Sequence, residues 1–144
     1  MGTHFAGSKA TSVADIVRFN TENPEVYQPY GQQYLEASSE STVTAEDYRA
    51  GALQLRSAAA AYLDDLLSEH DVDAIVGIGN NLSGVYPTAG HPAVTVPDGV
   101  NSEGIPFGVT FVGPYLGDGD VLGMAYAFEQ VTNARVIPPT GFVR

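Results

Sequence analysis

The chain has 144 residues, 44% of them hydrophobic and 16% charged, which is ordinary composition for one globular domain with a core of its own. Its formal net charge is −11, and its six basic residues (Lys9, Arg18, Arg49, Arg56, Arg135, Arg144) are scattered. That excludes the clustered positive charge on which binding to nucleic acid or an anionic membrane rests. There is no cysteine, so disulfides, thiolate catalysis and cysteine-based metal sites are excluded as well.

No apolar run approaches the ~20 residues that span a bilayer. The start, Met1-Gly2-Thr3-His4-Phe5-Ala6, has neither a basic n-region nor an apolar h-region, so a signal peptide is not expected and a cytoplasmic location is. Residues 1–10 carry no pattern and read as a flexible or vector-derived end.

Thr11 or Ser12 is placed to cap a short helix through Asn20, with Val13, Ile16 and Val17 on one face. Thr21 to Pro29 reads as loop, and Tyr30 to Ser38 as a second short helix. Thr44-Ala45-Glu46-Asp47 resembles a capping box that opens a long helix to about His70. In it Tyr48, Ala52, Leu55, Ala59, Tyr62 and Leu66 form one apolar stripe expected to face the core, while Glu46, Arg49, Arg56, Asp64 and Asp65 are expected to face water.

From Asp73 the period changes. Ala74-Ile75-Val76-Gly77-Ile78 is apolar without alternation, as in a strand buried on both faces. A stretch rich in Gly, Asn and Pro leads to a second strand, Ala93 to Pro97, and a third follows from Ile105 to Gly113. Asp118 or Asp120 is expected to cap a final helix to about Asn133, packed through Val121, Leu122, Ala125, Phe128 and Val131. Pro138-Pro139 ends the ordered part, and 140–144 is a tail. The element order predicts an α/β fold whose sheet, of about three strands, is incomplete and leaves edges that need partners.

The chemistry-bearing patterns mostly fail on spacing. Gly77-Ile78-Gly79 and Gly84 follow a strand, but no third glycine stands at the right step and no helix receives a pyrophosphate. His4, His70 and His91 lack a second ligand at helical or strand spacing, and Gly117-Asp118-Gly119-Asp120 lacks the later positions of a calcium loop. No cofactor and no metal are therefore expected. Asn81-Leu82-Ser83 matches a glycosylation acceptor, a pattern that matters only in a secreted protein.

No Gly-x-Ser-x-Gly elbow occurs. Ser38, Ser39 and Ser41 have no base near them in sequence, and Lys9 sits in the unpatterned start. His91, between Gly90 and Pro92, has no acid or nucleophile evidently paired with it and reads first as a hydrogen-bonded loop histidine.

Four ordered motifs carry a resemblance. Asp73-Ala74-Ile75-Val76, Ala89-Gly90-His91-Pro92-Ala93-Val94-Thr95-Val96-Pro97, Glu103-Gly104-Ile105-Pro106-Phe107-Gly108 and Ala125-Tyr126-Ala127-Phe128-Glu129-Gln130-Val131-Thr132 are similar, in order and spacing, to the C-terminal region of amidase-signature enzymes. Ser12 to Asn20 and Tyr30-Gly31-Gln32 resemble earlier steps of that family more loosely, so the resemblance covers about 11–139. Thr110 stands where many members have Gln, His91 replaces a common Tyr, and Gly77 to Asn81 replaces a usual Pro-Thr loop. The resemblance implies helices packed on a mixed sheet, of which this region supplies part.

It implies further that Gly90 and Gly108 allow close backbone approach and that Pro92 and Pro97 fix the start and end of a strand. Family members hydrolyse amides with a Ser, a cis-Ser and a Lys held in a Gly/Ser-rich segment, and no such segment stands in this sequence. The expectation is a C-terminal amidase fragment without catalytic residues, whose partner is the N-terminal catalytic part and whose parent takes a small amide. The alternative is a stand-alone binding module with the same fold. Asn80, Asn81, Tyr86 and His91, in the loop after the first strand, are the candidate substrate-binding residues; ordinary loop packing would use the same side chains. A homo-oligomer is expected from the unpaired strand edges, above all the uncharged, β-branched and aromatic run Phe107 to Val112.

Overall fold

A computed structural model describes residues 10–137. The readings made on residues 1–9 and 138–144, Lys9 and Pro138-Pro139 among them, lie outside this range. The chain divides into two compact units, one up to Tyr48 and one from Arg49 onward.

In the first unit α1 spans Val13–Glu22, α2 Pro24–Tyr27 and α3 Gln33–Glu40. Ser12 closes a full capping box: its hydroxyl accepts from the Asp15 N–H at 3.1 Å, and the Asp15 carboxylate accepts from the Ser12 N–H at 3.1 Å. The Thr11 N–H also donates to Asp15, at 2.9 Å. These bonds, with the Thr11 hydroxyl and Arg18, hold the Asp15 carboxyl well below the usual carboxylate range. The expected loop at 21–29 contains a helical turn because Pro24 supplies a preset φ at its first position. Helix α3 starts at Gln33 rather than Tyr30 because Gly31 is left-handed, with φ +81°. Gln32 is buried beneath it, donating to Val17 O at 3.3 Å and accepting from Asn20 Nδ2 at 3.2 Å.

Helix α4 (Ala45–Glu69) opens at Thr44, whose hydroxyl accepts from the Asp47 N–H at 3.1 Å. In the second unit it is followed by β1 (Ile75–Ile78), α5 (Tyr86–Ala89), β2 (Ala93–Val100), β3 (Pro106–Val112) and α6 (Asp118–Thr132). The sheet has the three strands expected, in the order β1-β3-β2 and antiparallel throughout, which puts the run Phe107 to Val112 in the central strand rather than at an exposed edge. Ile75, Val112 and Ala93 stand side by side across it. They meet Leu63 of α4 and Ala89 of α5 in the core, with Ala59, Ala60, Leu82 and Val85 around them. On the other face α6 lies against β2 and β3, with Phe128 edge-on to Phe111 at 5.6 Å. Each fully buried Leu or Val in these layers contributes about 1.5–3 kcal/mol.

The expected packing faces need correction. The buried face of α4 is Leu63 and Leu67 with Ala59 and Ala60, while Tyr48, Leu55 and Tyr62 of the predicted stripe are exposed. The alanine run gives no apolar contrast around the helix, so the large residues misled the phase. Strand β1 is buried on one face only: Val76 and Ile78 are 59% and 65% exposed, since no described element lies over them. In α6, Val121 and Ala125 are buried but Leu122 and Val131 are exposed, and Gly117 rather than an aspartate occupies the N-cap.

Pro97 does not end its strand either. It sits inside β2, which runs to Val100 past a bulge between Pro97 and Gly99. β2 is an edge strand, where the missing N–H is tolerated. Gly108 does serve close approach: a Cβ there would lie 2.7 Å from Val96 O.

Candidate functional site

The segment between β1 and β2 reverses at Gly79 (φ +56°), whose N–H donates to Gly108 O at 2.7 Å. Consecutive turns carry it through Asn80 to Val85 into α5, and Gly90, left-handed at φ +82°, ends that helix. The structure brings two of the four predicted residues together: the Tyr86 hydroxyl donates to Asn80 Oδ1 at 3.0 Å, at an exposed position. Asn81 beside them is exposed as well. His91, 5% exposed and just before β2, is tied to the same turn through its backbone, its N–H donating to Tyr86 O at 3.0 Å, while its ring turns to other partners.

His91 is fixed by one strong bond, Nδ1 to Gly113 O at 2.9 Å. A carbonyl oxygen only accepts, so the Nδ1 atom carries a proton. Nε2 is buried and has no hydrogen-bond partner. Asp64 Oδ1 lies 3.5 Å from it, within ion-pair range but without hydrogen-bond geometry. The histidine side chain is 0% exposed and that of Asp64 58%, so the pair joins the interior to solvent.

A cavity of about 230 Å³ opens at this point, lined by Arg56, Ala60, Asp64, Ala89, His91 and Tyr115. Arg56, Ala60 and Asp64 are four residues apart along α4 and so share one face. A Cβ on Gly90 would sit 3.2 Å from Arg56 Nη2 and 3.7 Å from the Tyr115 ring, which places the guanidinium and the ring over that glycine. The sequence reading placed Arg56 and Asp64 off the core stripe and did not single out Tyr115. The signal within reach was the four-residue spacing of an arginine, a small residue and an aspartate.

Among the described residues no group of three or more His, Asp or Glu side chains is arranged to hold a metal ion. None is arranged as a nucleophile and base. Ser12 caps α1, the Ser38 hydroxyl donates to Tyr34 O at 2.6 Å and the Ser39 hydroxyl to Glu36 O at 2.8 Å. Thr110 is buried, with Thr95 Oγ1 at 2.7 Å and its own hydroxyl donating to Gly79 O. No described helix is long and apolar enough to cross a membrane.

No family model matches the chain. It is 29% identical over 133 residues to a probable amidase of Arabidopsis thaliana, a match that takes in 91% of this chain and 26% of that protein. It is 41% identical over 51 residues to a glutamyl-tRNA(Gln) amidotransferase subunit of Halothermothrix orenii, covering 35% of the chain and 11% of the relative. Among solved structures, an amidase family protein from Bacillus anthracis superposes with a TM-score of 0.81 at 32% identity, over 90% of this chain and 26% of that one. A peptide amidase from Stenotrophomonas maltophilia gives 0.76 at 27%, over 97% and 32%. These matches bear out the resemblance read from the motifs, and the chain spans about a quarter of the length of the full-length amidases it matches.

Proposed function

We propose that this chain is the C-terminal portion of an amide-bond hydrolase, supplying sheet and pocket wall but not the nucleophile. Its homologues are amidases and amidotransferase subunits, and its fold is that of amidase-family proteins. The observation that carries the reading is coverage: matches run over nine-tenths of this chain yet over 26% of the relatives' length. The absence of a Ser–Ser–Lys segment from the sequence fits it. Activity then resides in the chain together with the polypeptide that holds those residues, and the substrate is a small amide. The loop with Asn80, Asn81, Tyr86 and His91 forms part of the pocket wall.

Alone, the chain is expected to leave simple amides and esters intact, because a positioned wall without an activated nucleophile contributes little. Turnover above buffer that survives repurification and disappears in His91→Gln would overturn this.

The apolar side of β1 supports the partner reading. Val76 and Ile78 are exposed on an edge strand, a combination that recruits another strand or layer. In the isolated chain a second copy takes that role, and light scattering is expected to give a mass that rises with concentration to a dimer or beyond. The double substitution Val76→Lys, Ile78→Lys is expected to return it to monomer. A wild-type chain that stays monomeric at every concentration would favour the self-sufficient binding module instead.

A further inference from the structure

The cavity beside His91 combines three groups that nothing in the chain satisfies together. His91 Nε2 is buried and has no hydrogen-bond partner. Asp64 beside it is an anion whose only ion-pair contact among the described residues is that histidine, at 3.5 Å. Arg56, which also lines the cavity, forms no ion pair with any described residue, and its guanidinium lies over Gly90, as does the Tyr115 ring. The walls between them, Ala60 and Ala89, are small and leave about 230 Å³.

We propose that this cavity binds a small free α-amino acid, with its ammonium on His91 Nε2 and Asp64 and its carboxylate on Arg56. The assignment follows from charge and proton inventory. Gly113 O holds the Nδ1 proton, so in the neutral ring Nε2 accepts and the group that meets it is a donor. Asp64 asks for the same group to be cationic. An amine alone would satisfy both but would face the Arg56 cation, and a carboxylate alone would suit Arg56 but face Asp64. A zwitterion carries the two charges a few bonds apart and meets each with its opposite, through the charge-assisted hydrogen bonds that are the strong ones. The aliphatic walls and the Tyr115 ring leave room for a short apolar side chain. The exposed side of Asp64 gives the ligand its way in. This inference rests on the cavity alone and is independent of the hydrolase reading.

The test is titration of the chain, labelled with ¹⁵N-histidine, with glycine and L-alanine, following the His91 side-chain nitrogens by NMR. His4→Gln and His70→Gln variants identify the remaining signal. The expected result is a saturable shift of Nε2 at millimolar amino acid with Nδ1 still protonated. Acetate and methylammonium at the same concentration are expected to produce less than a tenth of it. Arg56→Gln and Asp64→Asn lie on the exposed side of α4, keep the helix, and are each expected to weaken binding about tenfold or more. An Nε2 signal indifferent to amino acids would overturn the proposal. So would equal shifts from methylammonium alone, unchanged affinity in either variant, or an Nε2 proton already locked on Asp64 in the free chain at neutral pH.

Discussion

Replacing Leu63 by alanine is expected to lower the stability of the unit that starts at Arg49 by about 2–5 kcal/mol. Leu63 is 2% exposed and shares the buried core with Ala89 of α5 and Val112 of β3. Those neighbours are an alanine and a strand valine, which cannot swing in to refill the space. The lost contacts and the cavity therefore add. Leu55→Ala on the same helix removes the same atoms from an exposed position and is expected to cost within about 0.5 kcal/mol. Urea midpoints of the two variants measure the difference. Equal losses would mean that α4 buries the stripe of Tyr48, Leu55 and Tyr62 after all, in an assembly or otherwise.

The second large effect is expected at Gly113, at the end of β3. A Cβ built there would lie 2.2 Å from Val121 Cγ2, far inside contact distance. Val121 is fully buried and β-branched, so it has no free rotamer to retreat into. Gly113→Ala therefore has to push α6 off the sheet, at about 1–3 kcal/mol or more. The same shift would move the carbonyl that holds the His91 ring. Gly123→Ala on α6 is the control, since nothing lies within 4 Å of its Cβ. There the loss of glycine from a helix interior is expected to stabilise by about 0.5–1 kcal/mol. Thermal unfolding should separate the two in opposite directions. A neutral Gly113→Ala would show that α6 does not seat on Val121.

The contrast between these glycines marks what a sequence discloses. Gly90 and Gly108 were legible because they stand in motifs whose spacing repeats a family pattern. Gly113 was not, because its need for a bare Cα comes from Val121, contributed by the following helix. The strands and α6 were legible from apolar runs and turn residues, and the capping serines and threonines marked where helices begin. The phase of α4 was hidden, since an alanine-rich face looks the same as a solvent-facing one until a strand is laid on it. The apparent two-sided burial of β1 came from reading a strand whose second face has no cover among the described residues.

Of the candidate site, Asn80 and Tyr86 were near enough in sequence to be read as one loop, and they do meet. His91 was singled out for its place between Gly90 and Pro92, but its partners were not. Asp64 lies a helix away and Gly113 a strand away, so only the fold brings them to the ring. Arg56 and Tyr115 were missed for the same reason.

The central claim, that this chain is the wall and not the engine of an amide hydrolase, is tested most directly by intact-mass analysis after exposure to a fluorophosphonate, which adds to a serine only when a neighbouring base activates its hydroxyl. The account predicts an unchanged mass at all nine serines, folded or unfolded. A stoichiometric adduct on a single serine, formed by the folded chain and lost on unfolding, would contradict it.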